Sequence, residues 1–194
     1  MTRTAPQPRP AAVVIGGSAG AIDVLASILS ALPADYTLPI GIVVHVLPSR
    51  PSLLAEVLAH HSPMPVREIV DKEPFVAGTV WAAPPNYHAL IEQDGSWALS
   101  IDPPVHFSRP SIDVLFETAA DTFGARAVGV LLTGASQDGA RGLAAIRAAG
   151  GLTIAQDPAT AAAPQAPAAA IAVGAPVHVL APSLIGPFLA EVAR

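Results

Sequence analysis

Three residues whose types together can cleave an acyl bond each stand just after an apolar run. Ser18 lies in "GGSAG", where Gly16, Ser18 and Gly20 meet the spacing G-x-S-x-G. A serine on a tight strand-to-helix turn is presented to solvent, and the helix N-terminus beneath it favours developing negative charge. Three uses stay open for this turn: a nucleophile, a helix cap, or a cradle of backbone amides for a phosphate. His45 closes "GIVVHV". A histidine in an apolar run is ordinarily a satisfied core residue, but at the end of the next parallel strand, about 4.8 Å away, it could reach the serine as a general base. Asp138 follows "GVLLTGASQD" and opens a helical pattern with Gly139. Alone it reads as a helix cap; beside a serine and a histidine it can hold the imidazole tautomer and stabilise imidazolium. The competing acids fit less well. Asp157 precedes Pro158 without a turn-to-helix presentation, and Asp113 sits in the first turn of a helix, where it complements the dipole. The chain order Ser…His…Asp differs from the Ser…Asp…His of α/β-hydrolases, so G-x-S-x-G does not signify that fold here.

Other chemistries lack their residues. G-x-G-x-x-G is not met, because serine occupies the second glycine position, and no acid follows the second apolar run to hold a ribose. His60 and His61 are adjacent, while His88, His106 and His178 lie in separate elements without ligand spacing. With no cysteine in the chain, disulfides and thiolate metal sites are excluded, and neither a metal nor a cofactor is expected. A net charge of -5 without a basic cluster argues against nucleic acid. The most apolar region, Ala159 to Pro182, is broken by Pro164, Pro167 and Pro176, and reads as loop, short helix and strand rather than a membrane span. Residues 1–10 carry no apolar segment and read as a flexible tail, with 11–194 as one domain in a cytoplasmic protein.

The elements that must position these residues follow from hydrophobic pattern. Ala11–Gly16, Pro39–Val46, Gly78–Pro84, Ala127–Gly134 and Gly151–Gln156 are continuous aliphatic runs, suited to parallel strands covered on both faces. Helical spacing recurs in "AGAIDVLASILSAL", "SLLAEVLAHH", "SIDVLFETAADTFG" and "DGARGLAAIRAAG", with Gly124 and Gly150 at C-terminal caps. "YHALIEQDGSWALSI" reads as a hairpin turning at Asp94-Gly95. The expected fold is α/β: a doubly wound, mostly parallel sheet with helices on both faces and a small antiparallel hairpin. In such folds ligands bind beyond the C-terminal strand ends, where the three candidates stand.

Between Val13 and Ile171 the stretches "IGGSAGAIDVL", "VVHVLPS", "WAAPPNYHALIE", "VHFSRPSIDVLFETAA", "GVLLTGASQDGARGL" and "AQDPATAAAPQAPAAAI" resemble, in order, the catalytic domain of the CheB family, the protein-glutamate methylesterases of bacterial chemotaxis. The resemblance implies a catalytic triad of Ser18, His45 and Asp138. It implies hydrolysis of glutamate γ-methyl esters on chemoreceptor cytoplasmic helices, with deamidation of glutamine as related chemistry. Ala19, Gly134 and Ala135 would line the oxyanion or substrate site, and Arg109 would orient an acidic substrate surface. A receptor methyltransferase or a separate regulator would be a further partner; neither nucleic acid nor membrane insertion is implied. The chain departs from the family pattern at Ala19, where threonine is usual, and at Ala135, where methionine is frequent. About ten residues precede the first strand, so no receiver domain and no phosphorelay within the chain itself is expected. An acyl hydrolase of other substrates, or a non-catalytic partner-binding domain of the same fold, are the alternatives.

Overall fold

A computed structural model describes residues 8–45 and 52–194. Residues 1–7 of the expected tail, and Val46 to Ser49 of "VVHVLPS", lie outside the described residues. The strands are β1 (Ala12–Gly17), β2 (Ile40–Val44), β3 (Val66–Glu68), β4 (Val80–Ala82), β5 (His88–Ile91), β6 (Trp97–Ser100), β7 (Ala127–Leu131), β8 (Leu152–Gln156) and β9 (His178–Leu180). The helices are α1 (Ala21–Ser30), α2 (Leu54–Ala59), α3 (Ile112–Phe123), α4 (Ala140–Ala148), α5 (Gln165–Ala172) and α6 (Pro182–Val192).

Seven strands form one parallel sheet in the order β3-β4-β2-β1-β7-β8-β9. Aliphatic residues occupy consecutive positions because both faces are covered. Ala12 and Val14 of β1 belong to a core shared with Leu115 and Phe116 of α3 and Leu143 and Ile146 of α4. Val13 and Ile15 point the other way, into a core with Leu25 and Ile28 of α1, Leu58 of α2 and Leu189 of α6. Burying each of the Val, Ile, Leu and Phe side chains among these stabilises the fold by roughly 1.5–3 kcal/mol. β5 and β6 pair antiparallel as a separate two-stranded sheet, with Ile91 opposite Trp97 and Gly95 at φ 80° in the turn. The hairpin docks on the α3 side, where Trp97 enters that core.

The expected strands over Ala11–Gly16, Ala127–Gly134 and Gly151–Gln156 are present within a few residues, Gly78–Pro84 shortens to β4, and the described part of Pro39–Val46 holds β2. The loop, short helix and strand expected between Ala159 and Pro182 include α5 and β9, while the edge strand β3 and the last helix, α6, are additional. The chain leaves β1 for α1 on one face and leaves β7 for α4 on the other, although β1 and β7 are neighbours. A crevice therefore opens at their C-terminal ends.

Candidate active site

Ser18 continues the line of β1 past its last residue: its amide donates to the Thr133 carbonyl at 2.9 Å, beyond the end of β7. The chain then turns at Gly20, whose φ of 79° is a left-handed conformation that glycine adopts without a Cβ penalty. Gly20 is the N-cap of α1, and no side chain caps that helix. The Ser18 carbonyl accepts the Ala21 amide at 2.9 Å, while its hydroxyl has no partner among the described residues. The helix-cap use of this serine is thereby removed. Gly16 has a different cause: a Cβ there would collide with the Ile112 side chain at the start of α3. Ser18, with Ala19, Gly20, Ile22, Asp23, Val44 and His45, lines a cleft of about 630 Å³.

His45 follows β2, and its amide donates to the Gly17 carbonyl at 3.2 Å, which fixes its backbone beside the serine turn. Its ring Nε2 lies 2.8 Å from Asp138 Oδ2, with 15% of the imidazole side chain exposed and the carboxylate fully buried. Nδ1 lies 3.5 Å from the Ser108 hydroxyl, the long limit of a hydrogen bond.

Asp138 is held from four directions. Oδ2 accepts the Ile112 amide at 2.7 Å besides the imidazole. Oδ1 accepts the Ser111 hydroxyl at 2.8 Å and the Asp113 amide at 3.0 Å. The carboxylate therefore sits on the N-terminus of α3 rather than capping α4, the helix that follows it. Burial pushes its pKa up, but the His45 hydrogen bond, the two amides and the Ser111 hydroxyl outweigh burial and hold it below the usual carboxylate value. An ionised carboxylate only accepts, so Nε2 carries the imidazole proton in the neutral ring and Nδ1 keeps the lone pair. Nδ1 is therefore the ring nitrogen left able to accept a proton, the reverse of the serine-protease template, where the aspartate holds Nδ1.

The CheB methylesterase family model matches residues 13–189. The chain belongs to the CheB methylesterase family. It is 43% identical over 180 residues to protein-glutamate methylesterase/protein-glutamine glutaminase 3 of Pseudomonas aeruginosa, covering 93% of this chain and 54% of that protein. A Leptospira interrogans protein named provisionally for the same two activities is 46% identical over 150 residues, covering 77% of this chain and 78% of the other. Among solved structures, the Thermotoga maritima CheB methylesterase catalytic domain superposes with a TM-score of 0.90 at 30% identity, over 95% of this chain and all of that one.

Within this CheB-family chain the remaining expected site residues fall in different places. The Gly134 amide donates to the Ala163 carbonyl at 2.9 Å, so this amide is engaged within the chain. Gly134 instead gives room: a Cβ there would stand 3.2 Å from that of Ser18. The amides of Ala19 and Ala135 have no partner among the described residues, and both residues are exposed. Arg109 departs from its expected place facing substrate. Nε and Nη2 donate to Asn86 Oδ1 at 3.2 and 2.7 Å, and Nη1 donates to the carbonyls of Ile101 and Asp102 at 2.7 and 3.1 Å. It clasps the chain on both sides of the hairpin and is not among the described residues lining the cleft.

Sequence reasoning passed over three hydroxyls. Ser111 braces Asp138, and Ser108 faces His45. Buried Thr133 donates to the Ala19 carbonyl at 2.9 Å and accepts the Ala163 amide at 2.9 Å, tying the serine turn to the loop after β8. The motif "SRPSID" held the signal for both serines. Among the described residues no cluster of His, Asp and Glu could hold a metal ion, and no helix is long and apolar enough to cross a membrane.

Proposed function

We propose that this chain is a serine carboxylesterase that hydrolyses glutamate γ-methyl esters on chemoreceptor cytoplasmic helices, in chemotaxis signalling. The observation that carries the reading is the 2.8 Å His45–Asp138 pair opening onto the cleft that Ser18 lines. Membership of the CheB methylesterase family and the names of its relatives support the substrate class.

In the reaction, Ser18 Oγ attacks the ester carbonyl while His45 Nδ1 takes the hydroxyl proton. Asp138 stabilises the imidazolium through Nε2. The tetrahedral oxygen lies against the Ala19 and Ala135 amides, with the N-terminus of α1 adding favourable potential. Methoxide leaves as methanol with the proton from His45. Water then attacks the acyl-enzyme, giving its proton to Nδ1, and Ser18 departs with that proton as glutamate is released. A glutamine side chain would follow the same course with ammonia leaving, which accounts for the second activity in the relatives' names. Such an enzyme acts in the cytoplasm, where receptor helices are exposed, with a receptor methyltransferase or a separate regulator as further partners.

The test is methanol release from a methylated receptor cytoplasmic fragment. Ser18→Ala should lower the rate by several powers of ten. Equal rates in the two proteins would remove the catalytic assignment.

A further inference from the structure

Val105 to Ser108 form a tight reversal beside the cleft. The Val105 amide donates to the Ser108 carbonyl at 3.1 Å, and the Ser108 amide returns a bond of 2.9 Å to Val105. The two residues between them, His106 and Phe107, both have positive φ, 48° and 61°. Two-residue reversals of this kind favour Asn-Gly or Gly-Gly; an imidazole and a phenyl ring there are strained. Such strain persists only where the surroundings over-determine it, and it concentrates at functional sites.

The side chains flanking Phe107 stand close to two buried or part-buried groups. His106 Nε2 lies 3.4 Å from the buried Asp113 Oδ2, and Ser108 Oγ lies 3.5 Å from His45 Nδ1. Phe107 itself is fully exposed. A lone exposed apolar residue is ordinary. This one is a phenyl ring on a strained turn, one residue from the hydroxyl that faces the proposed base. Among the described residues that line the cleft, none is a lysine or arginine. The chain carries a net charge of -5, Asp23 lines the cleft, the Arg109 guanidinium is engaged with Asn86 and two carbonyls, and Arg141 pairs with Glu117. Ile22, a second exposed apolar side chain, also lines the cleft.

We propose that Phe107 is a specificity-determining residue that packs on the apolar side chains of an amphipathic substrate helix, next to the esterified glutamate presented to Ser18. The proposal rests on the methylesterase reading for its substrate class. It separates affinity for the protein substrate, carried by Phe107, from bond cleavage, carried by the residues around Ser18.

Two measurements on the full chain test it. In a Ser18→Ala background, binding of a methylated receptor cytoplasmic fragment is followed by titration calorimetry with and without Phe107→Ala. With Ser18 intact, kcat and KM are measured for the fragment and for p-nitrophenyl acetate, a small ester that cannot reach beyond the cleft. Phe107→Ala should raise Kd for the fragment about tenfold, as loss of a central aromatic contact does. The fragment-to-small-ester ratio of kcat/KM should fall by a similar factor, through KM. Phe107→Leu should restore most of both. An unchanged Kd, an equal loss on both substrates, or no binding of the fragment to Ser18→Ala protein would overturn the proposal. If wild type bound the fragment but cleaved neither ester, the esterase reading would fail while the binding comparison still decided the role of Phe107.

Discussion

Asp113 and Asp138 each cap the helix that begins beside the other. Asp138 accepts the Ile112 and Asp113 amides in the first turn of α3, and Asp113 Oδ1 accepts the Gly139 and Gly142 amides at the start of α4, at 2.9 and 2.7 Å. Both carboxylates are fully buried, and neither lies on an element that could place it alone. The exchange locks the two helix starts together and sets Asp138 against His45. Asp113→Ala would leave two buried amides without an acceptor, a loss of roughly 1–3 kcal/mol for each unsatisfied group. Asp113→Asn keeps an acceptor oxygen and should lose much less. Urea denaturation of the two variants should rank them in that order, and kcat should fall further in Asp113→Ala because the Asp138 loop loosens.

The pH dependence of stability should report Asp138. Its pKa is lowered in the folded protein from an ordinary value near 3.8. A depressed carboxylate contributes stability that is fully present above its unfolded pKa and is lost as pH falls through the folded pKa. Asp138→Asn abolishes that contribution. Whichever way the amide is turned, its NH2 also faces a helix amide, because each carboxylate oxygen accepts one. The stability gap between wild type and Asp138→Asn should therefore narrow as pH falls below about 4. The same substitution should cut turnover roughly 10³–10⁴-fold, the size seen when an aspartate that fixes a catalytic tautomer is lost. A gap independent of pH would show that Asp138 is not held ionised by its partners.

Ser111→Ala isolates one of those partners. Removing the hydroxyl that donates to Asp138 Oδ1 raises the folded pKa of the carboxylate, because a hydrogen bond to the charged form is lost. The acid limb of the stability curve should then move to higher pH than in wild type, with a neutral-pH loss of about 1–3 kcal/mol for a hydrogen bond to a charged group. Stability curves that superpose in the acid limb would remove Ser111 from this role.

The parts legible in the sequence were those whose signal is local. β1, β2, β7 and β8 are continuous aliphatic runs because helices cover both faces of the sheet, and the residue after such a strand is where a ligand site forms. That placed Ser18, His45 and Asp138 together on topology alone. The edge strand β3 has three residues, half of its surroundings are solvent, and so it lacks a continuous apolar pattern. Pro182 and Pro187 obscured the period of α6. Ser108 and Ser111 were signalled only by their place in "SRPSID", and Thr133 by no pattern at all, because a hydroxyl has none of its own; each acts through a contact with another element. Arg109 shows the opposite failure. A charged residue in a motif invited a role with substrate, and its donors proved to close the chain on itself.

Arg109→Ala tests that revised role. The guanidinium joins Asn86 to the Ile101 and Asp102 carbonyls, and alanine would leave those acceptors to water. Arg109 is half-buried, so the expected loss is modest, about 1–2 kcal/mol by denaturation for its hydrogen bonds together. Proteolysis within residues 101–109 should speed up, while KM for a small ester should stay close to that of wild type. A large rise in KM without loss of stability would return Arg109 to the substrate site.

Gly16 couples the serine turn to α3, and a double-mutant cycle should measure the coupling. An alanine Cβ at this position has no space while Ile112 keeps its side chain, whose Cγ2 is the nearest atom. Gly16→Ala must then push back either β1, which carries Ser18, or the first turn of α3, whose Ile112 amide holds Asp138 Oδ2. Overpacking of this kind destabilises by about 1–3 kcal/mol. It should also lower kcat more than an equal destabilisation elsewhere, because one end or the other of the proposed triad moves. Ile112→Ala opens a cavity of its own, yet it frees the space that the new methyl needs. The double variant should therefore be more stable than the sum of the two single losses implies, by roughly 0.5–3 kcal/mol. Strict additivity in urea denaturation would mean that Gly16 is glycine for a reason other than its contact with Ile112.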